Sequence, residues 1–186
     1  MKKLSTKKLT FIAMMGAITI ILGLTPLGFI PLGLIRVTTL HIPTILAGIF
    51  QGPIVGALTG LLFGLFSLFQ NLNAPTPLSF MFYNPLVSVF PRIMIGIVSA
   101  YVYRFFSKYT KSYVALGAAG ILGTLTNTVF VLGIGGLLHH RQIYDIMKIK
   151  APIFLGGIAA TNLPPELILS AIITITVGTG LLKYRK

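Results

Sequence analysis

The stretch TLHIPTILAGIFQGPIVGALTGLLFGLFSLF, residues 39–69, decides the fold of this 186-residue chain. It holds no charged side chain, and the charge-free run around it extends from Val37 to Pro91. A helix needs about 20 apolar residues to cross the hydrocarbon core of a bilayer, so the run holds two to three spans. Gln51-Gly52-Pro53 reads as a tight turn, since glycine and proline break regular structure. The reading is therefore a helix over 39–50, a turn, and a helix over 53–69. The first of these is short and carries Pro43, so it would span only with help from the loop before it.

The same alternation of apolar runs and polar breaks continues on either side. It predicts helices over 9–24, 84–106, 113–138 and 162–182, which makes six in a single transmembrane domain covering 1–186. Thr25–Thr38 is a Pro- and Gly-rich loop carrying Arg36, and Asn71–Tyr83 is a second polar, proline-bearing loop. His139–Pro152 is the most hydrophilic loop, and Phe154–Thr161 is a glycine-containing lead-in to the last helix. The expected fold class is all-α and integral to the membrane.

Composition agrees. The chain is 55% hydrophobic and 9% charged, with a mean hydropathy of +0.93, whereas soluble domains carry roughly a quarter charged residues. The formal net charge of +13 does not imply nucleic acid, because the basic residues flank apolar runs instead of forming one phosphate-facing surface. Lys2, Lys3, Lys7 and Lys8 precede the first run, Arg104, Lys108 and Lys111 sit in a central break, and Lys183, Arg185 and Lys186 close the chain. Lys and Arg mark cytoplasmic flanks, so both termini and the 104–111 break are assigned to the cytoplasm. That needs an even number of crossings, and six fits. The 139–152 loop then lies outside despite Arg141, Lys148 and Lys150. The N-terminus, charged and then apolar, lacks an obvious small-x-small cleavage site and reads as an uncleaved first helix.

Several polar and small residues stand out against this background. Gly52, Gly56, Gly60 and Gly64 recur every four residues, a spacing that lets helix backbones approach closely, either within the bundle or toward another subunit. Ala13 and Ala17 offer a second such face, better suited to a partner. Arg92 lies on the order of 12 Å below the outer end of its helix, where a charge faces a partner or a cavity. Its structural role would be an ion pair with Glu166, and its functional role would be to hold an anionic or polar ligand. Asn84-Pro85 and Asn162-Leu163-Pro164-Pro165-Glu166 both read as helix starts. Two helix N-termini at one membrane face would make a positive pole suited to anions. Asn127 sits mid-span and must find a partner. His139-His140 lacks the i, i+4 spacing of a helical zinc pair, and His41 reads as a packed or interfacial histidine.

Apparatus for chemistry is sparse. Cysteine is absent, no lysine follows a glycine as a nucleotide-binding loop would need, and Asp145 and Glu166 are the two acids. The expectation is a non-enzymatic protein without cofactor or metal. An autonomous secondary transporter is disfavoured because intramembrane acids for a proton relay are nearly absent.

Six short helices, the Pro/Gly-rich first loop, the small-residue face and a longer fifth loop together resemble the substrate-binding S components of energy-coupling factor (ECF) vitamin transporters. The most specific stretches are Ala13-Met-Met-Gly-Ala17, His41-Ile-Pro43 through Gly56-Ala57, and Asn84-Pro85 through Pro91-Arg92. Within the family the chain looks most like the pantothenate-type members. The resemblance implies a six-helix S-component bundle in a bacterial cell membrane that captures a vitamin from outside. It implies association with a transmembrane coupling subunit (EcfT) through Ala13 and Ala17, and with two ATPase subunits. Arg36, Asn84, Arg92, Asn127, Asn162 and Glu166 fall where the family places ligand contacts, with Phe82 and Tyr83 able to replace the absent tryptophan. Hydroxymethylpyrimidine and pyridoxine remain alternative ligands.

Overall fold

The computed structural model describes the backbone of residues 4–32 and 35–184, and the side chains of these residues apart from 30–32, 35–37 and 184. The chain is almost entirely helical. Helix α1 (Thr6–Leu24) leads through a 3-10 turn (Pro26–Gly28) into a small hairpin of β1 (Phe29–Leu32) and β2 (Ile35–Thr38). Then come α2 (Ile42–Gln51), α3 (Pro53–Asn73), two single turns α4 (Ser79–Phe82) and α5 (Pro85–Ser88), α6 (Phe90–Tyr109), α7 (Ser112–Met147) and α8 (Ala151–Tyr184).

Among the described residues, five segments are long and apolar enough to cross a bilayer: α1, α3, α5 with α6, α7 and α8. At about 1.5 Å per residue, the ten residues of α2 reach about 15 Å, half of a hydrocarbon core. The expected helix over 39–50 is thus present but too short to span unaided. Its role is central packing: every residue from Ile42 to Ile49 is buried, and α2 touches α1, α3, α6, α7 and α8. A helix that is apolar on all sides belongs in the middle of a bundle. Around it the order of neighbours is α1 on α3, α3 on α6, α6 on α7, and α7 on α8.

The expected first loop is ordered by backbone pairing. Phe29 pairs with Thr38 and Pro31 with Arg36 in an antiparallel ladder. The Thr39 N–H donates to Gly28 O at 3.1 Å, and Thr39 Oγ1 donates to Leu27 O at 2.8 Å. Gln70 Nε2 at the end of α3 donates to Gly23 O at 2.9 Å, which joins the ends of α1 and α3.

Two expectations fail in the last two helices. The 139–152 loop is mostly helix, because α7 continues to Met147 through a single non-helical residue, His139 (φ −121°, ψ 21°). The connection to α8 is the short segment 148–150, which begins with Lys148 in the left-handed region (φ 56°). The last helix starts at Ala151, not at Asn162, and Pro164 and Pro165 lie inside it. The apolar run 151–161 outweighs the two lost N–H donors, as happens in membrane helices where neighbouring groups satisfy the freed carbonyls.

The glycine series is an internal seam. A Cβ at Gly56 would stand 2.7 Å from Gly48 Cα and 2.8 Å from Gly96 O; at Gly60 it would overlap the Arg92 carbonyl; at Gly64 it would lie 2.6 Å from Val89 Cα. Glycine therefore sets the α3–α6 distance directly, backbone on backbone. Substituting Gly60→Ala should cost about 1–3 kcal/mol through overpacking. For a chain of this size that lowers the unfolding midpoint by about 2–12 °C, measurable by thermal melts in detergent. Gly133→Ala is the control, since a methyl there meets nothing within 4 Å, and it should leave the midpoint unchanged or slightly raised.

Candidate functional site

The close approach of α3 to α6 carries Arg92 into the bundle at the end where α1 stops and α6 begins. Its side chain is 6% exposed. The guanidinium carbon lies 5.4 Å from the ring centroid of Phe63 on α3 and 5.4 Å from that of Phe82 on α4, within cation–π range of both. Nη1 donates to Val87 O at 2.7 Å, while Nε is buried without a protein partner. Aromatic faces and one carbonyl thus hold the charge in place without neutralising it.

Arg92 lines a cavity of about 470 Å³. The hairpin contributes Phe29 and Thr38, α3 contributes Phe63, Ser67, Gln70 and Asn71, and the following linker contributes Ala74 and Thr76. Helix α7 supplies Asn127, Thr128, Val131 and Leu132, and α8 supplies Ile158, Asn162 and Glu166. The volume falls within the range of about 300–1,000 Å³ found for small-molecule sites. Among the described residues the wall combines one cation, one acid, several amides and hydroxyls, three phenylalanines and aliphatic patches.

Of the residues singled out from sequence, Arg92, Asn127, Asn162 and Glu166 meet at this cavity. Asn162 and Glu166 do so because i, i+4 positions share one helix face, not because they open a helix. Asn162 lies well inside α8, so the expected pair of helix N-termini does not form. Asn84 is a helix cap, accepting from the Leu86 N–H at 2.9 Å, but it starts the single turn α5 and stands outside the cavity wall. Tyr83 is 43% exposed and also outside it. The side chain of Arg36 lies outside the described residues. The expected Arg92–Glu166 ion pair is absent among the described residues. Glu166 is 6% exposed and its Oε1 accepts from the Thr38 N–H at 3.0 Å, which fastens the hairpin to α8.

Phe29, Thr38, Phe63, Ser67, Gln70, Asn71 and Thr76 escaped the sequence reading. The polar cluster Ser67, Gln70 and Asn71 has the i, i+3, i+4 spacing of one helix face, a signal available at the end of the third apolar run. Some of that polarity is structural. Asn71 Oδ1 accepts from Ser79 Oγ at 2.6 Å, and Ser79 Oγ accepts from the Thr76 N–H at 2.8 Å.

Beneath the cavity lies a buried polar seam. His41 is fully buried, and its Nε2 lies 2.9 Å from Thr124 Oγ1. The Thr124 hydroxyl donates to Gly120 O at 2.9 Å, and Ser170 Oγ donates to the same carbonyl at 3.2 Å. Because Thr124 spends its proton on Gly120, it accepts from His41, which places the imidazole proton on Nε2. The expected packed histidine is a link between α2 and α7.

No curated protein sequence matches the chain. A solved structure of the S component of a bacterial ECF transporter is similar with a TM-score of 0.60 over 97% of this chain and 98% of that one, at 20% identity. That likeness shows a shared fold. The family described as ECF transporter, substrate-specific component, matches residues 7–178, and the chain belongs to that family of transport subunits.

Proposed function

We propose that this chain is the high-affinity pantothenate-binding subunit of an ECF importer, with Arg92 as the ligand-carboxylate partner. The observation that carries the proposal is a buried guanidinium in a small-molecule-sized cavity whose wall also presents amides, hydroxyls, aliphatic side chains, three phenylalanines and the Glu166 carboxyl. Pantothenate brings a carboxylate, an amide, two hydroxyls and a geminal dimethyl group, one counterpart for each kind of wall. Arg–carboxylate contacts are charge-assisted and geometrically specific. Asn127 and Asn162 serve the amide and hydroxyls, and Val131, Leu132 and Ile158 serve the methyl groups. Arg36 on β2 and Asn84 at the start of α5 are further proposed contacts, carried over from the family resemblance.

A flat vitamin such as hydroxymethylpyrimidine or pyridoxine is the second reading, favoured by the three phenylalanines on the wall. Two of those rings, Phe63 and Phe82, already face the Arg92 guanidinium, which leaves less aromatic surface for stacking and favours pantothenate.

The proposed topology has six crossings, α2 completing its own with the hairpin, and both termini in the cytoplasm of a bacterial cell. Lys7 and Lys8 at the start of α1, Arg104 and Lys108 at the end of α6 and Lys183 near the end of α8 support that orientation through the preference of basic residues for the inner face. The cavity then opens outward. Ala13 and Ala17 are exposed on α1, opposite the inward-packed Ile12, Met15, Gly16 and Thr19, and form the proposed contact with the transmembrane coupling subunit. The two ATPase subunits supply the energy, and this chain performs no catalysis.

Calorimetry on the detergent-purified protein with a vitamin panel tests the assignment. Pantothenate should bind in the nanomolar to micromolar range, and tight binding of a flat vitamin instead would move the assignment to the second reading. Arg92→Ala should weaken pantothenate binding by about 10- to 150-fold, the worth of a hydrogen bond to a charged group. In proteoliposomes this chain alone should give no uptake; uptake without the ATPases would identify an autonomous transporter. Ala13→Leu with Ala17→Leu should leave vitamin affinity unchanged and abolish uptake by the complete complex.

A further inference from the structure

Arg92 and Glu166, a base and an acid, are both buried on the wall of one cavity, yet they are not paired. Each is anchored separately. Arg92 is held on α6 by Val87 O and the rings of Phe63 and Phe82. Glu166 is held on α8 by the Thr38 N–H of the hairpin. An ion pair would be the simplest compensation for two desolvated charges, and the two anchors withhold it. Each group also keeps capacity to spare. A guanidinium has five N–H donors and a carboxylate about four acceptor positions, and each spends one on the anchor described. The same wall carries Asn127, on α7, the helix that packs against both α6 and α8. Its Oδ1 is buried without a protein partner, and such an atom in a bundle interior is costly until a donor reaches it.

We propose that the cavity reads both ends of one ligand, taking an anionic group at Arg92 and a hydroxyl-bearing, hydrogen-bond-donating end at Glu166, with Asn127 receiving a further donor. This rests on the reading of the cavity as the ligand site and deepens it by fixing the substrate class and its orientation. The class is a monoanion with donors at its far end. A dianion would set its second charge against Glu166, and a ligand without an anionic group would leave Arg92 buried and uncompensated. Glu166 is then a specificity-determining residue as well as the hairpin's anchor.

The test is a cycle of ligands against variants, read as dissociation constants by calorimetry. The ligands are pantothenate, the analogue with a primary alcohol in place of the carboxylate, and the analogue that keeps the carboxylate and amide but lacks both hydroxyls. The wild-type protein should bind both analogues at least tenfold more weakly than pantothenate, a comparison that requires no variant to fold. Arg92→Gln should weaken pantothenate strongly and the alcohol analogue little. Glu166→Gln retains an oxygen for the Thr38 N–H, so the hairpin stays anchored and the charge alone is removed. It should weaken pantothenate about fivefold, the gap between charged and neutral hydrogen bonds, and leave the analogue without hydroxyls unchanged. Elution profile and unfolding midpoint of each variant verify folding.

Equal losses for every ligand in either variant would overturn the proposal, as would tight binding of a vitamin without an anionic group. If pantothenate fails to bind but another monoanionic, hydroxyl-bearing vitamin binds and responds to both variants in this pattern, the vitamin assignment fails and the two-ended recognition stands. If no such monoanion binds, the two-ended recognition is wrong.

Discussion

The contact on which the rest depends is the backbone-to-backbone approach of α3 and α6 across Gly56, Gly60, Gly64 and Gly96. Where Gly60 meets the carbonyl of Arg92, no side chain separates the two helices. Association of helices in lipid gains nothing from expelling water between apolar faces, so close van der Waals contact must do the work. The same contact delivers a guanidinium to a depth where a charge is otherwise expensive. The seam is thus both the tightest packing in the bundle and the device that positions the cavity's cation.

Short α2 makes the second condition. The chain just before it folds as the hairpin, and Thr38 at the end of that hairpin meets Glu166 on α8. The polar seam of His41, Thr124 and Ser170 fastens α2 to α7 and α8 beneath the cavity. Elsewhere the hydroxyls in the helices mostly bond back to their own carbonyls, as Thr19 does to Met15 O and Thr59 to Val55 O, so they ask nothing of lipid or neighbours.

The proposed binding cavity and the proposed partner face are separated in space by this arrangement. The cavity occupies the end of the bundle where the hairpin, α4 and α8 converge. Ala13 and Ala17 lie on the outer side of α1, toward its start. Among the described residues helix α1 contributes none to the cavity wall, and its far end is tied to α3 where Gln70 meets Gly23. A subunit that must hold a ligand while changing its contacts in the membrane is served by such a division.

The sequence by itself determined that the chain lives in a bilayer and where most of its helices lie, and it singled out Arg92, Asn127, Asn162 and Glu166, which meet at one cavity. A charge or amide in a long apolar run has few places to go, so rarity alone marks it. The helix-start reading of Asn162-Leu163-Pro164-Pro165 failed, because local proline chemistry was outweighed by eleven apolar or small residues upstream that the membrane keeps helical. The loop after His139 failed for a related reason, since α7 and α8 pack along their whole lengths and hold those turns in place. Tertiary structure alone decided that Arg92 and Glu166 share a cavity without pairing. It also decided that the glycines face α6 and that Asn84 stands apart. Those outcomes depend on which helix faces which neighbour and at what separation, and one-dimensional spacing specifies a face but not what lies across from it.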